Sequence, residues 1–138
     1  MSRTRQGGFT LVEILIVVII LGILAAIVIP QFTQASNDAR VSSLTSNLQT
    51  VRSQLELYKV QHLDAYPSLA AFTTQMTGQT KIDGTAGTDF GPYMRAIPAN
   101  PFTNTNTVGN GAVGSSAWKY DAATGTFTAN DTAAHAAL

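Results

Sequence analysis

Between Phe9 and Ile29 the chain carries one ionisable side chain, Glu13, in an otherwise uncharged run dominated by Ile, Leu, Val and Ala. At a rise of 1.5 Å per residue, a helix over this run is about 30 Å long, one hydrocarbon thickness of a bilayer. An Asp- or Glu-like charge near the bilayer centre costs about 2.5–3.5 kcal/mol on insertion scales, so an intramembrane Glu as a rule has a partner and a role. Two blander readings fit less well. A secretory signal has an apolar region of only about 7–15 residues closed by an A-x-A-like site, whereas here Leu24-Ala25-Ala26 runs on into Ile27, Val28 and Ile29. A pure anchor has no use for the Glu.

Arg3 and Arg5 precede the run, and the next positive residue is Arg40. Positive charge stays cytoplasmic, which predicts a cytoplasmic N-terminus and export of everything after the span. Gly22 and Ala26 form a small-xxx-small pair that permits close helix approach. Pro30 removes a backbone donor and clashes with the preceding turn, so a kink or local break is expected there. Helical character resumes beyond it. Val41, Leu44, Leu48, Val51, Leu55 and Tyr58 alternate steps of three and four among Ser, Gln, Arg and Glu. One kinked helix from Phe9 to about His62 would be about 80 Å long, more than a small domain can cover. Other copies of the same helix are the simplest cover.

The segment Gly7-Gly8-Phe9-Thr10-Leu11-Val12-Glu13, with the apolar run and Pro30 after it, resembles the N-terminus of the type IV pilin superfamily, which includes the pseudopilins of type II secretion. The resemblance implies a basic leader, residues 1–8, cut between Gly8 and Phe9 by a prepilin peptidase, followed by N-methylation of Phe9. It also implies assembly into a helical homo-oligomeric filament through the helix, with Glu13 and Pro30 as assembly residues. Downstream, Tyr66-Pro67, Gly91-Pro92-Tyr93 and Ile97-Pro98-Ala99-Asn100-Pro101 resemble the major (G-type) pseudopilins. Adhesive pilins of the superfamily usually close a C-terminal loop with a disulfide, and this chain has no cysteine.

That subfamily often continues the last segment as D-P-W-G and binds calcium in a later acidic loop. Here Asn100-Pro101-Phe102-Thr103 departs from the pattern, and Asp121 and Asp131 are the carboxylates left near the C-terminus. Calcium takes about six to eight oxygens, usually with several carboxylates. Asp121 is the better candidate ligand for a possible calcium ion, with an ordinary hairpin-turn Asp as the alternative.

The expected fold is α+β: the long kinked N-terminal helix, transmembrane in its first half, packed against a small antiparallel sheet. Its parts are the leader 1–8, the membrane and assembly helix 9–29, an amphipathic continuation 30–63, and a periplasmic globular region 64–138. Tyr66-Pro67 should break the helix. Leu69, Phe72 and Met76 suggest a short helix, Trp118–Tyr120 and Thr126–Thr128 a hairpin, and Asp131–Leu138 a loose tail.

Several function classes are disfavoured. Eight basic side chains less Arg3 and Arg5 leave six against eight acidic ones, a net charge near −2 with no basic cluster, so nothing supports a nucleic-acid partner. Gly109-Asn110-Gly111-Ala112-Val113-Gly114 matches G-x-G-x-x-G but lacks the strand–helix context of a dinucleotide site. No cysteine nucleophile or G-x-S-x-G elbow exists, and His62 fits a structural role near a helix C-terminus. A non-enzymatic structural subunit is expected. It would be held in the inner membrane and then drawn into a periplasmic pseudopilus together with minor pseudopilins and an inner-membrane assembly platform. A surface pilin and a non-polymerising, membrane-anchored periplasmic binding module are the rival readings.

Overall fold

The computed structural model describes residues 8–138. Helix α1 spans Leu11–Gln61, followed by α2 (Phe72–Thr77), strands β1 (Val108–Gly109), β2 (Trp118–Asp121) and β3 (Thr126–Ala129), and a 3₁₀ turn over His135–Ala137. The chain divides into two compact units at Ala39/Arg40. The leader residues 1–7 lie outside the described region.

In the first unit α1 is clad in aliphatic side chains on every face, and each residue from Gly8 to Ala39 is exposed. It is the one described helix long and apolar enough to cross a membrane. The many β-branched Val and Ile residues are modest helix formers in water. In lipid the backbone has to satisfy its own hydrogen bonds, and that favours the helix regardless. The helical conformation runs without interruption through Pro30. Pro30 deprives the Ala26 carbonyl of its usual donor, and the Thr33 hydroxyl bonds back to the Ile29 carbonyl at 3.2 Å.

The second unit is built on the C-terminal part of α1. Leu44, Leu48, Val51, Leu55 and Tyr58 are buried on one stripe, as their spacing predicts, whereas Val41 is only half-buried. The helix stops at Gln61, short of Tyr66-Pro67. Leu63 and Asp64 adopt positive φ (55° and 61°), and the Asp64 amide donates to the Lys59 carbonyl at 3.1 Å. A left-handed C-terminal cap therefore ends the helix before the proline can. Buried His62 completes this end: its Nδ1–H donates to the Tyr58 carbonyl at 2.8 Å, which leaves Nε2 to accept from the Thr80 hydroxyl at 2.9 Å.

Opposite the helical stripe lies a three-stranded mixed sheet of order β1-β2-β3. The expected hairpin is present, with Tyr120 opposite Phe127 and Trp118 opposite Ala129, all four buried. The sheet is not purely antiparallel. Val108–Gly109 adds a parallel edge to β2, with Val108 opposite Trp118. A two-residue strand has no periodicity to read, so this segment had the sequence signature of loop. The α2 residues Phe72 and Met76 fill the space between α1 and the sheet; Phe72 packs on Tyr120 with ring centroids 4.5 Å apart. The polar ends of the large aromatics are satisfied: Trp118 Nε1 donates to Pro98 O at 2.8 Å, and Tyr120 OH to Pro67 O at 2.7 Å. The last segment is not a loose tail. The His135–Ala137 turn and Leu138 after it are held by the Asp131 carboxylate, the Phe102 ring and Arg52 of α1.

Candidate processing and assembly site

Gly8 and Phe9 precede the helix without regular structure, and Phe9 is 84% exposed. Gly8 is exposed just before the helix start, and a Cβ there would meet nothing within 4 Å.

The first turn is closed by a reciprocal pair. The Thr10 amide and hydroxyl both donate to Glu13 Oε2 at 2.8 Å, and the Glu13 amide donates to Thr10 Oγ1 at 3.2 Å. This is a capping box, Thr10 being the N-cap and Glu13 the third helical residue. Thr10-Leu11-Val12-Glu13 shows the T-x-x-E pattern ahead of an apolar run, so Thr10 was readable as a site residue and sequence reasoning passed over it. The box gives the Glu13 carboxylate a partner within its own chain. Only Oε2 is engaged, and Oε1 has no partner among the described residues. Pro30 lies 17 positions further on the same helix, far from this turn in sequence.

The helix charges serve the domain and do not pair with each other. Arg52 Nε donates to Phe127 O at 2.9 Å and Nη1 to Leu138 O at 3.1 Å. Glu56 accepts from the Tyr66 hydroxyl at 2.8 Å, and Lys59 Nζ sits 4.9 Å from the centre of the Tyr66 ring. Arg52 and Glu56, spaced i, i+4, and Glu56 and Lys59, spaced i, i+3, form no ion pair among the described residues.

Asp121 closes β2 as a turn residue, its Oδ1 accepting from the Ala123 amide at 2.9 Å. One exposed carboxylate already used by the turn does not fit a cation that asks for many oxygens. Among the described residues no group of three or more His, Cys, Asp or Glu side chains could hold a metal. Gly109 ends the edge strand and Asn110–Gly114 follows as loop, without the helix a phosphate site needs.

An exposed small residue, a capped helix start with one carboxylate, and an all-apolar span define a prepilin-type subunit. Residues 3–29 match the family model of the prokaryotic N-terminal methylation motif. The type II secretion system core protein G of Pseudomonas aeruginosa is 37% identical over 110 residues, 75% of this chain and 73% of that protein. The core protein G of Klebsiella michiganensis is 37% identical over 105 residues, covering 74% and 72%. That of Pectobacterium carotovorum is 34% identical over 110 residues, covering 73% and 65%. The chain belongs to the type II secretion system core protein G family. No solved structure matches it.

Proposed function

We infer that the chain is the repeating, non-catalytic subunit of a type II secretion pseudopilus. Prepilin peptidase would cut between Gly8 and Phe9, Phe9 would be N-methylated, and residues 9–29 would hold the subunit in the inner membrane with its C-terminal domain in the periplasm. An assembly platform and minor pseudopilins would then draw it into a filament that supports protein export across the outer membrane. The observation carrying this reading is the uninterrupted exposure of the apolar half of α1, whose side chains find no cover among the described residues. Lipid can cover it in the precursor, and neighbouring helices in the filament.

Within that bundle Glu13 would face the new amine of Phe9. Were the helix extended back to Phe9, its own amine would lie about 6 Å away along the axis. A neighbour staggered by about one turn would bring its amine to the free Oε1 and so couple charge neutralisation to registry. The capping box allows a sharper test than simple deletion of the charge. Glu13→Gln keeps an acceptor for Thr10 but loses the charge, whereas Glu13→Ala loses both. Filament yield from overexpressing cells, with crosslinking between subunits, should fall sharply for both variants while membrane insertion and cleavage at Gly8 persist. Normal filaments from Glu13→Gln and none from Glu13→Ala would reduce Glu13 to a helix cap. Normal filaments from both would end the registry role.

A further inference from the structure

Asp131 stands at the end of β3 with its side chain only 6% exposed. A carboxylate in that position needs donors or a cation, and both of its oxygens are already taken. Oδ1 accepts from Asn100 Nδ2 at 3.1 Å, and Oδ2 accepts from His135 Nδ1. Asn100 is fully buried and also fixes its surroundings: Nδ2 reaches the Ala117 carbonyl at 3.1 Å, and Oδ1 accepts from the Phe102 amide at 2.9 Å. The His135 ring rests on Phe102, with centroids 4.3 Å apart. At the far end of the same segment Arg52 reaches from α1 to the Leu138 carbonyl.

We propose that this set, Asn100, Asp131 and His135 on the Phe102 ring, is a protein-only clasp that fastens segment 131–138 to the domain, the side-chain donors satisfying Asp131 without a cation. A divalent cation reaching the Asp131 carboxylate would have to displace His135 or Asn100, and among the described residues no group of three or more His, Cys, Asp or Glu side chains could hold it. Burial alone would raise the Asp131 pKa, but the hydrogen bonds from His135 and Asn100 outweigh it and hold the carboxyl below its ordinary value. One nearby atom speaks for a cation or a bound water: Asn130 Oδ1 is buried and has no partner. Its amide side is committed to the loop, donating to Ala112 O and Ser116 Oγ at 3.0 Å each.

The test uses the detergent-solubilised full-length protein and follows amide exchange of Ala136, Ala137 and Leu138 together with the melting temperature. His135→Ala should speed exchange of those three amides about tenfold or more, as expected when a hydrogen bond to a charged group is lost. Calcium and excess chelator should give the same exchange rates and the same melting curve for the wild type. His135 in the wild type should carry its proton on Nδ1 by ¹⁵N shift, and Asp131→Asn should perturb that signature. This spectroscopic arm holds even if a variant folds poorly. A calcium-dependent rise in melting temperature that Asp131→Asn abolishes would overturn the clasp and establish a metal site. Unchanged exchange in His135→Ala would show that the segment is held without it.

Discussion

The two halves of α1 are covalently one helix, yet they are written for different surroundings. From Leu11 to Ala39 the aliphatic side chains are exposed on every face, Ile16, Val18 and Ile20 being 52, 60 and 50% accessible. From Arg40 to Gln61 the apolar residues narrow to one stripe, and Leu44, Leu48, Val51, Leu55 and Tyr58 are at most 2% accessible. A helix hydrophobic all round needs a membrane or a bundle, whereas a striped one needs a single domain. The second half is therefore stabilised by packing within its own unit, and the first finds no such cover among the described residues.

The largest effect that separates the halves is at the cleavage site. Gly8→Val puts a β-branched side chain where the backbone must enter a protease, and the protein should accumulate uncleaved, about 0.9 kDa heavier for eight residues of ordinary mass. Intact-mass measurement reads this out, and the wild type should begin at Phe9. Melting of the 40–138 unit should not change, because an added side chain at Gly8 starts with nothing within 4 Å of its Cβ. A mature terminus elsewhere would remove the basis for treating residues 1–8 as a leader.

Next in size is a cavity in the striped half. Leu48 is 1% exposed in the core cluster with Trp118, Phe127 and Phe72. Leu48→Ala should cost about 2–5 kcal/mol, the usual range for a buried leucine. Thermal unfolding of the detergent-solubilised protein measures the loss. Processing at Gly8 should remain near the wild-type level, since cleavage precedes any need for the folded domain. If cleavage fell in parallel with stability, the halves would be coupled in a way their separate packing gives no reason to expect.

Much of this division was legible in the sequence, because it is carried by periodicity. The i, i+3, i+4 stripe from Leu44 to Tyr58 and the alternation in Trp118–Tyr120 and Thr126–Thr128 are local signals, and both elements formed as read. What stayed hidden depends on partners distant in sequence or on too few residues to have a period. Val108–Gly109 becomes a strand only because Trp118 pairs with it. The left-handed turn at Leu63 and Asp64 uses residues that seldom adopt positive φ, so the proline three positions later drew the boundary. The clasp joins Asn100 to Asp131 across 31 positions. Without that link, Asp131–Leu138 reads as small polar and alanine residues with no reason to be ordered. Thr10 is the opposite case: its capping box is fully local, but the wide interest of Glu13 as a lone charge masked the residue three places before it.

The smallest and most discriminating test makes the same change, Gly to Ala, once in each compact unit. Gly125 has φ of 72° in the hairpin turn, and a Cβ there would run into the Tyr66 ring at Cζ. Gly125→Ala must bear a left-handed residue, roughly 1–2 kcal/mol, and also push away a ring whose hydroxyl is bonded to Glu56. A loss of about 1–3 kcal/mol in thermal unfolding is expected. Gly22 lies in the helix, where an added methyl group would meet nothing within 4 Å, so Gly22→Ala has no clash in a single chain. Alanine should there favour the helix by about 0.8–1 kcal/mol, and the 40–138 unit should melt as before. Any penalty at Gly22 can come only from a neighbour that approaches the Gly22–Ala26 face closely. A drop in filament yield with Gly22→Ala, at unchanged melting and processing, would mark that face as helix–helix contact. Unchanged yield would move the contact elsewhere on the apolar half of α1 and leave Gly22 as an ordinary small residue of the span.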